Sequence, residues 1–174
     1  MVSGGFTASE RCGMIVPLLA KEATMAPIVH SVEISRSPED VFAYLTDYSH
    51  ATEWQEGLVS ANVEGQGPFG VGSRVKMARR IGRRERTMTT EVTEHDPPRN
   101  FGFRGIDGPV RPIGKGTVEP VGEGRSRFTA ELDFEGHGIG KVLVPLVVRR
   151  QASSDMAKSQ ERLKARLESA GAEG

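Results

Sequence analysis

A chain of 174 residues with 37% hydrophobic residues and 21 glycines is long enough for one domain with its own core. Its 23 Lys and Arg balance 23 Asp and Glu, so no overall basic field marks it as a partner for nucleic acid. The single Cys12 excludes an internal disulfide, and no run of about twenty apolar residues is present, so the composition reads as a soluble, cytoplasmic protein without a transmembrane segment.

Residues 1–27 read as a poorly ordered extension. Their apolar run, GMIVPLLA, is interrupted by Pro17 and preceded by Glu10, which makes a weak export signal. Met25 before Ala-Pro is the expected start of the folded part, which spans 28–170 and leaves 171–174 as a tail. The alternation in IVHSVEIS, from Ile28 to Ser35, predicts a half-buried strand. Ser37, Pro38 and Asp40 then predict a helix start, with Ser37 as N-cap and acidic residues at the positive end of the dipole. Val41, Phe42 and Leu45 belong on its inner face, and SHATEWQEG predicts a second short helix or turn presenting Trp54.

From Leu58 the texture changes to strands and turns. LVSANVEG, SRVKMARR, RERTMTTEVTEH, the stretch from Arg99 to Ile106, that from Val110 to Pro120, and RSRFTAELDFE are the expected strands. Short connections between them imply an antiparallel meander. Gly102, Gly105, Gly114 and Gly116 fall where a strand can bend or bulge. The last stretch, Lys141 to about Ala170, has apolar residues at helical spacing, with a stripe that thins between Val147 and Leu163 around Gln151, Ser154, Met156 or Ala157, and Gln160. Pro145 places the start or a kink of the regular helix near itself. One strand, two small helices, about six further strands and a long helix make an α+β layout in which that helix covers the apolar face of the sheet.

Four strings carry a resemblance to a known family: ISRSPEDVFAYLTDYSHATEW from Ile34 to Trp54, VGSRV from Val71 to Val75, EVTEHDPPRNFGF from Glu91 to Phe103, and ERLKARLE from Glu161 to Glu168. Together they resemble the polyketide cyclase/dehydrase and lipid-transport (START-like, SRPBCC) superfamily, to which the major birch pollen allergen also belongs. The resemblance implies a helix-grip fold: a curved antiparallel β-sheet wrapped around a long C-terminal α-helix, with two short helices after the first strand. It also implies a cavity between sheet and helix. By strand parity and helix phase the wall of that cavity comes from Trp54, Val75, Met77, Met88, Val92, Phe101, Phe103, Phe128, Leu132, Phe134, Val142, Leu146 and Val147, with Gln151 on the thin part of the helix.

Nothing in the sequence calls for a cofactor. His30, His50, His95 and His137 are scattered without metal-ligand spacing, and no nucleophile elbow, phosphate loop or dinucleotide fingerprint is present. Proton transfer in a dry pocket leaves Arg86, His95 and Tyr48 as candidate catalytic groups. Parity sets Arg79 with Val75 and Met77, and Arg86 with Met88 and Val92, so the two arginines either meet a carboxylate or enolate at the cavity mouth or join Arg80, Arg83 and Arg84 in a solvated basic hairpin tip. His95 beside Asp96-Pro97-Pro98 reads as a turn residue or a base, and His137 among glycines as a hinge or a gate. The leading expectation is a protein that binds a small hydrophobic molecule. The alternatives are a cyclase/dehydrase-type enzyme using acid/base residues of the same cavity, and an interaction protein using the basic hairpin.

Overall fold

The computed structural model describes residues 26–137 and 148–170. Seven strands, β1 (Ile28–Ile34), β2 (Leu58–Glu64), β3 (Arg74–Ile81), β4 (Arg84–Asp96), β5 (Asn100–Gly105), β6 (Val110–Gly122) and β7 (Arg125–Gly136), form one antiparallel sheet in the order β1-β7-β6-β5-β4-β3-β2. Between β1 and β2 lie α1 (Pro38–Thr46), a 3-10 turn at Tyr48–His50 and α2 (Ala51–Trp54). The long helix α3 (Arg149–Ser169) follows the last strand. This is the helix-grip arrangement that the resemblance implies.

The local signals work as expected at the first helix. The Ser37 hydroxyl accepts from Asp40 N at 3.2 Å, Pro38 sits in the first turn, and Val41, Phe42 and Leu45 are buried. Strand alternation then sorts the sheet into two faces. Val63, Val75 and Thr90 make one cross-strand row, Ala61, Met77 and Met88 the next, and Leu58, Arg79 and Arg86 a third. On the other side of the same face Phe101 lies opposite Gly116, and Phe103 opposite Gly114, which is opposite Leu132. The reverse face is polar: Glu91 pairs with Arg104 at 2.9 Å, Lys115 with Glu94 at 3.7 Å, and Glu33 with both Arg125 and Arg127. Such exposed pairs contribute about 0–1 kcal/mol each, and their consequence is solubility of that face.

Helix α3 joins the apolar face by a short greasy end and a polar middle. Leu163 and Leu167 pack with Ile34, Val41, Phe42, Leu45, Trp54, Val118 and Phe128 in the main core. Its polar side chains hold both edges of the sheet. Gln160 Nε2 donates to His30 O at 2.9 Å and Lys164 Nζ to Glu33 O at 2.7 Å on β1, while Ser159 Oγ accepts from Glu56 N at 2.9 Å just before β2. Arg36 Nε donates to Leu167 O at 2.8 Å, which satisfies a carbonyl at the end of the helix. The thin apolar stripe thus has a structural reason: buried Ser159 and Gln160 tie the helix to the strand edges.

Gln151 does not belong to that inner face. It lies about two and a half turns before Gln160, hence on the opposite side of the helix, where it is exposed and donates to Asp155 at 2.7 Å. Val142, Leu146, Val147 and Pro145 lie outside the described residues, as do Cys12 and most of the N-terminal extension.

Candidate functional site

The concave face carries a chain of aromatic rings. Tyr48 is 5.5 Å from Phe69, Phe69 is 5.4 Å from His95, His95 is 5.5 Å from Phe42, and the series continues through Phe101 to Phe128 at 6.1 Å per step, centroid to centroid. These distances are those of favourable aromatic pairs. One end of the chain is the turn after α1, and the other reaches β7 beneath the long helix.

His95 reaches this chain through a bulge. The pairing of β4 with β5 runs Val92 to Phe103 and then Glu94 to Gly102, so Thr93 is an extra residue. Strict alternation from Val92 would turn His95 outward; the extra residue reverses the phase and turns it inward, against Phe42 and Phe69. The turn reading of His95 is therefore corrected: it lies within β4, half-buried. Phe69, in the glycine-rich connection between β2 and β3, has no periodic signal in the sequence; a lone aromatic in such a loop is the hint it offers.

Two glycines set the depth of this face. A Cβ on Gly116 would stand 2.2 Å from the Phe101 ring, and one on Gly114 would stand 2.3 Å from the Phe103 ring. Both rings therefore lie down on bare backbone of β6, a role for these glycines beyond bending the strand. Phe101 is wedged between Phe42 and Phe128, whereas Phe103 is half-buried and has no aromatic neighbour among the described residues. Val75 and Met77 form a second buried cluster with Leu58 and Ala51, against which Tyr48, Phe69 and Met88 pack. Val92 is buried, and Leu132 and Phe134 are half-buried on β7.

Two polar groups in this apolar setting are underused. Trp54 is 8% exposed, and its indole Nε1 has no acceptor among the described residues. Such a buried donor costs about 1–3 kcal/mol while unmet. The Tyr48 hydroxyl makes no hydrogen bond among the described residues, and burial pushes its phenol up to about 12 from an ordinary value of 10.0. The protonated form is the one the fold favours. Its contribution is complete below pH 10 and is lost as the pH rises from there through about 12, a loss of roughly 2–3 kcal/mol. Tyr44 adds to the alkaline loss, since burial and the Glu53 carboxylate also raise it. Tyr48→Phe is expected to reduce the alkaline loss of stability, measured by urea unfolding at pH 8 and pH 11; an unchanged difference would show that Tyr48 is solvated.

The arginines divide. Arg80, Arg83, Arg84 and Arg86 are exposed along the β3–β4 hairpin, Arg86 at a position opposite Arg79. Arg79 does not: it turns inward, donates to the Gln55 side chain and, at 3.4 Å, to Glu56 O, and burial pulls its guanidinium below the ordinary arginine value. Outside this face, an open recess of about 450 Å³ lies between the start of α3 and the hairpin, lined by Glu56, Arg80, Gln151 and Asp155 among others. It is a polar surface feature. His137 is exposed next to Glu135 at 3.7 Å, and Asp96 is exposed at the end of β4. Among the described residues no three His, Cys, Asp or Glu side chains are arranged to hold a metal ion, and no helix is long and apolar enough to cross a membrane.

Comparison with known proteins agrees with this geometry. A protein from Thermus thermophilus superposes with a TM-score of 0.70 at 19% identity, over 83% of this chain and 98% of that one. The Zhui aromatase/cyclase from Streptomyces sp. R1128 gives 0.70 at 14% identity, over 82% and 93%. A START superfamily protein from Mycobacterium smegmatis gives 0.69 at 14% identity, over 83% and 99%. At these identities the likeness is one of fold. A search of curated proteins gives no match. The model of one family, described as polyketide cyclase / dehydrase and lipid transport, matches residues 25–168, nearly all of the folded chain, and the protein belongs to that family.

Proposed function

We propose that the protein binds a small, largely apolar molecule on the concave face of the sheet, under α3. The observation that carries this reading is the buried Trp54 indole N–H without an acceptor among the described residues, set among the apolar side chains of the core. An acceptor oxygen on a ligand satisfies it, and Tyr48 offers a second, protonated donor. Apolar area removed from water drives such binding at roughly 25 cal/mol per Å². Phe103, seated low on Gly114, and the Met77–Met88 pair supply that area. Small hydrophobic ligands and lipid transport also agree with the family description.

Acid/base chemistry on the ligand is the second reading, favoured by Tyr48 and His95 standing on either side of Phe69. From these two positions a neutral phenol is able to donate to a ligand's carbonyl oxygen while an imidazole removes a proton elsewhere on the ligand. A relative in fold is an aromatase/cyclase.

Native mass spectrometry of protein purified gently from its own host, with denatured extracts alongside, tests both. One stoichiometric small molecule released on denaturation is the result expected for binding, and Trp54→Phe is then expected to lower its occupancy. Paired masses related as substrate and product, lost in His95→Gln, would move the reading to the enzyme. A protein that holds nothing and binds none of a panel of aromatic and fatty probes would end both.

A further inference from the structure

Arg79 and Arg86 stand directly opposite one another on β3 and β4, on the concave side, one row beyond Met77 and Met88. Like charges in that position destabilise a sheet. A guanidinium drawn away from water is also costly unless its charge and its five N–H donors are met. Arg79 meets an amide oxygen of Gln55 and, at the long distance of 3.4 Å, the carbonyl of Glu56; neither is an anion. Asp155 acts on it only through space, being outside ion-pair distance, and itself accepts from Gln151 at 2.7 Å. The residues that link β7 to α3, GIGKVLVPLV at 138–147, contain no acid, so that segment brings no carboxylate to Arg79.

We propose that the ligand of the concave face is an organic acid, an apolar body bearing one carboxylate, and that Arg79 takes the carboxylate while Arg86 faces it from the exposed side. This rests on the ligand-binding reading above and narrows it. The planar fork of a guanidinium matches a carboxylate in two parallel hydrogen bonds. An anion between the two arginines also removes their mutual repulsion. The apolar row Val75, Met77 and Met88 then runs from the charged end toward Val92 and Phe103, where the body of the ligand lies.

The test compares anthracene-9-carboxylate with its uncharged methyl ester by fluorescence titration of the full chain. The acid is expected to bind at least ~10-fold more tightly than the ester. Arg79→Gln is expected to weaken the acid roughly 10- to 100-fold, the usual effect of losing a charged hydrogen-bonded partner, and to leave the ester within about 3-fold. Arg79→Lys keeps the charge but loses the fork, and about 3- to 10-fold weaker acid binding is expected; this variant decides the matter if the glutamine variant fails to fold. Arg83→Gln, at the exposed tip, is expected to change neither. Equal affinity for acid and ester, or an unchanged preference in both Arg79 variants, overturns the proposal while leaving binding on the concave face intact. If neither probe binds, the ligand-binding reading falls and the proposal falls with it.

Discussion

Replacing Leu163 by alanine is expected to lower the unfolding free energy by about 2–5 kcal/mol, a large part of the roughly 5–15 kcal/mol that holds a domain of this size together. The reason is position. Leu163 is 0% exposed and belongs to the core cluster that draws residues from every layer: Ile34 at the end of β1, Val41 and Leu45 on α1, Trp54 on α2, and Val118 and Phe128 on the sheet. Apart from Leu167, the rest of the helix holds on by hydrogen bonds such as Gln160 to His30 O and Lys164 to Glu33 O, which contribute about 1 kcal/mol apiece. No neighbour on α3 can fill the space, because Ser159 and Gln160 are already tied to the strand edges. Urea unfolding checks this: the midpoint is expected to fall with the slope unchanged. Arg166→Ala, exposed on the same helix, is expected to change stability by less than about 0.5 kcal/mol. A Leu163 loss below about 1 kcal/mol would mean that the helix is held by its polar contacts instead.

How far the sequence speaks depends on whether the signal is local. The strands are legible because the reverse face is charged and the concave face apolar, so alternation is strong in almost every one; Phe128, Ala130, Leu132 and Phe134 on β7 are an example. The start of α1 is legible because capping needs only Ser37, Pro38 and Asp40. His95 misleads because one extra residue, Thr93, reverses the face of everything after it, and a bulge leaves no mark in the alternation. Gln151 misleads because the phase of α3 is set by Leu163 and Leu167 from its far end, and extrapolating a stripe through polar residues loses the angle. Arg79 is one arginine among five near a turn. That it alone of the five is drawn away from solvent depends on Gln55 and Glu56, more than twenty residues earlier, so no short window contains the reason.

The two glycines beneath the phenylalanines provide the sharpest separation of folding from binding. Gly116→Ala places a Cβ 2.2 Å from the Phe101 ring, far inside contact distance, so the ring must move. It has nowhere to go, since Phe42 and Phe128 stand 6.1 Å away on either side. The expected result is a loss of about 1–3 kcal/mol in stability, the usual cost of overpacking a core. Gly114→Ala makes an equally close contact with Phe103, at 2.3 Å, but that ring is half-buried and lacks aromatic neighbours among the described residues. Under the ligand-binding reading it lifts off the sheet toward the ligand's place on the concave face. The expected stability loss is smaller, below about 1 kcal/mol, while affinity for an apolar probe falls roughly tenfold because the ring now occupies the ligand's place. Denaturant midpoints and probe titrations on the two variants measure both effects. If Gly114→Ala left probe affinity unchanged, the ligand would not lie over Phe103, and binding would have to be sought nearer Trp54.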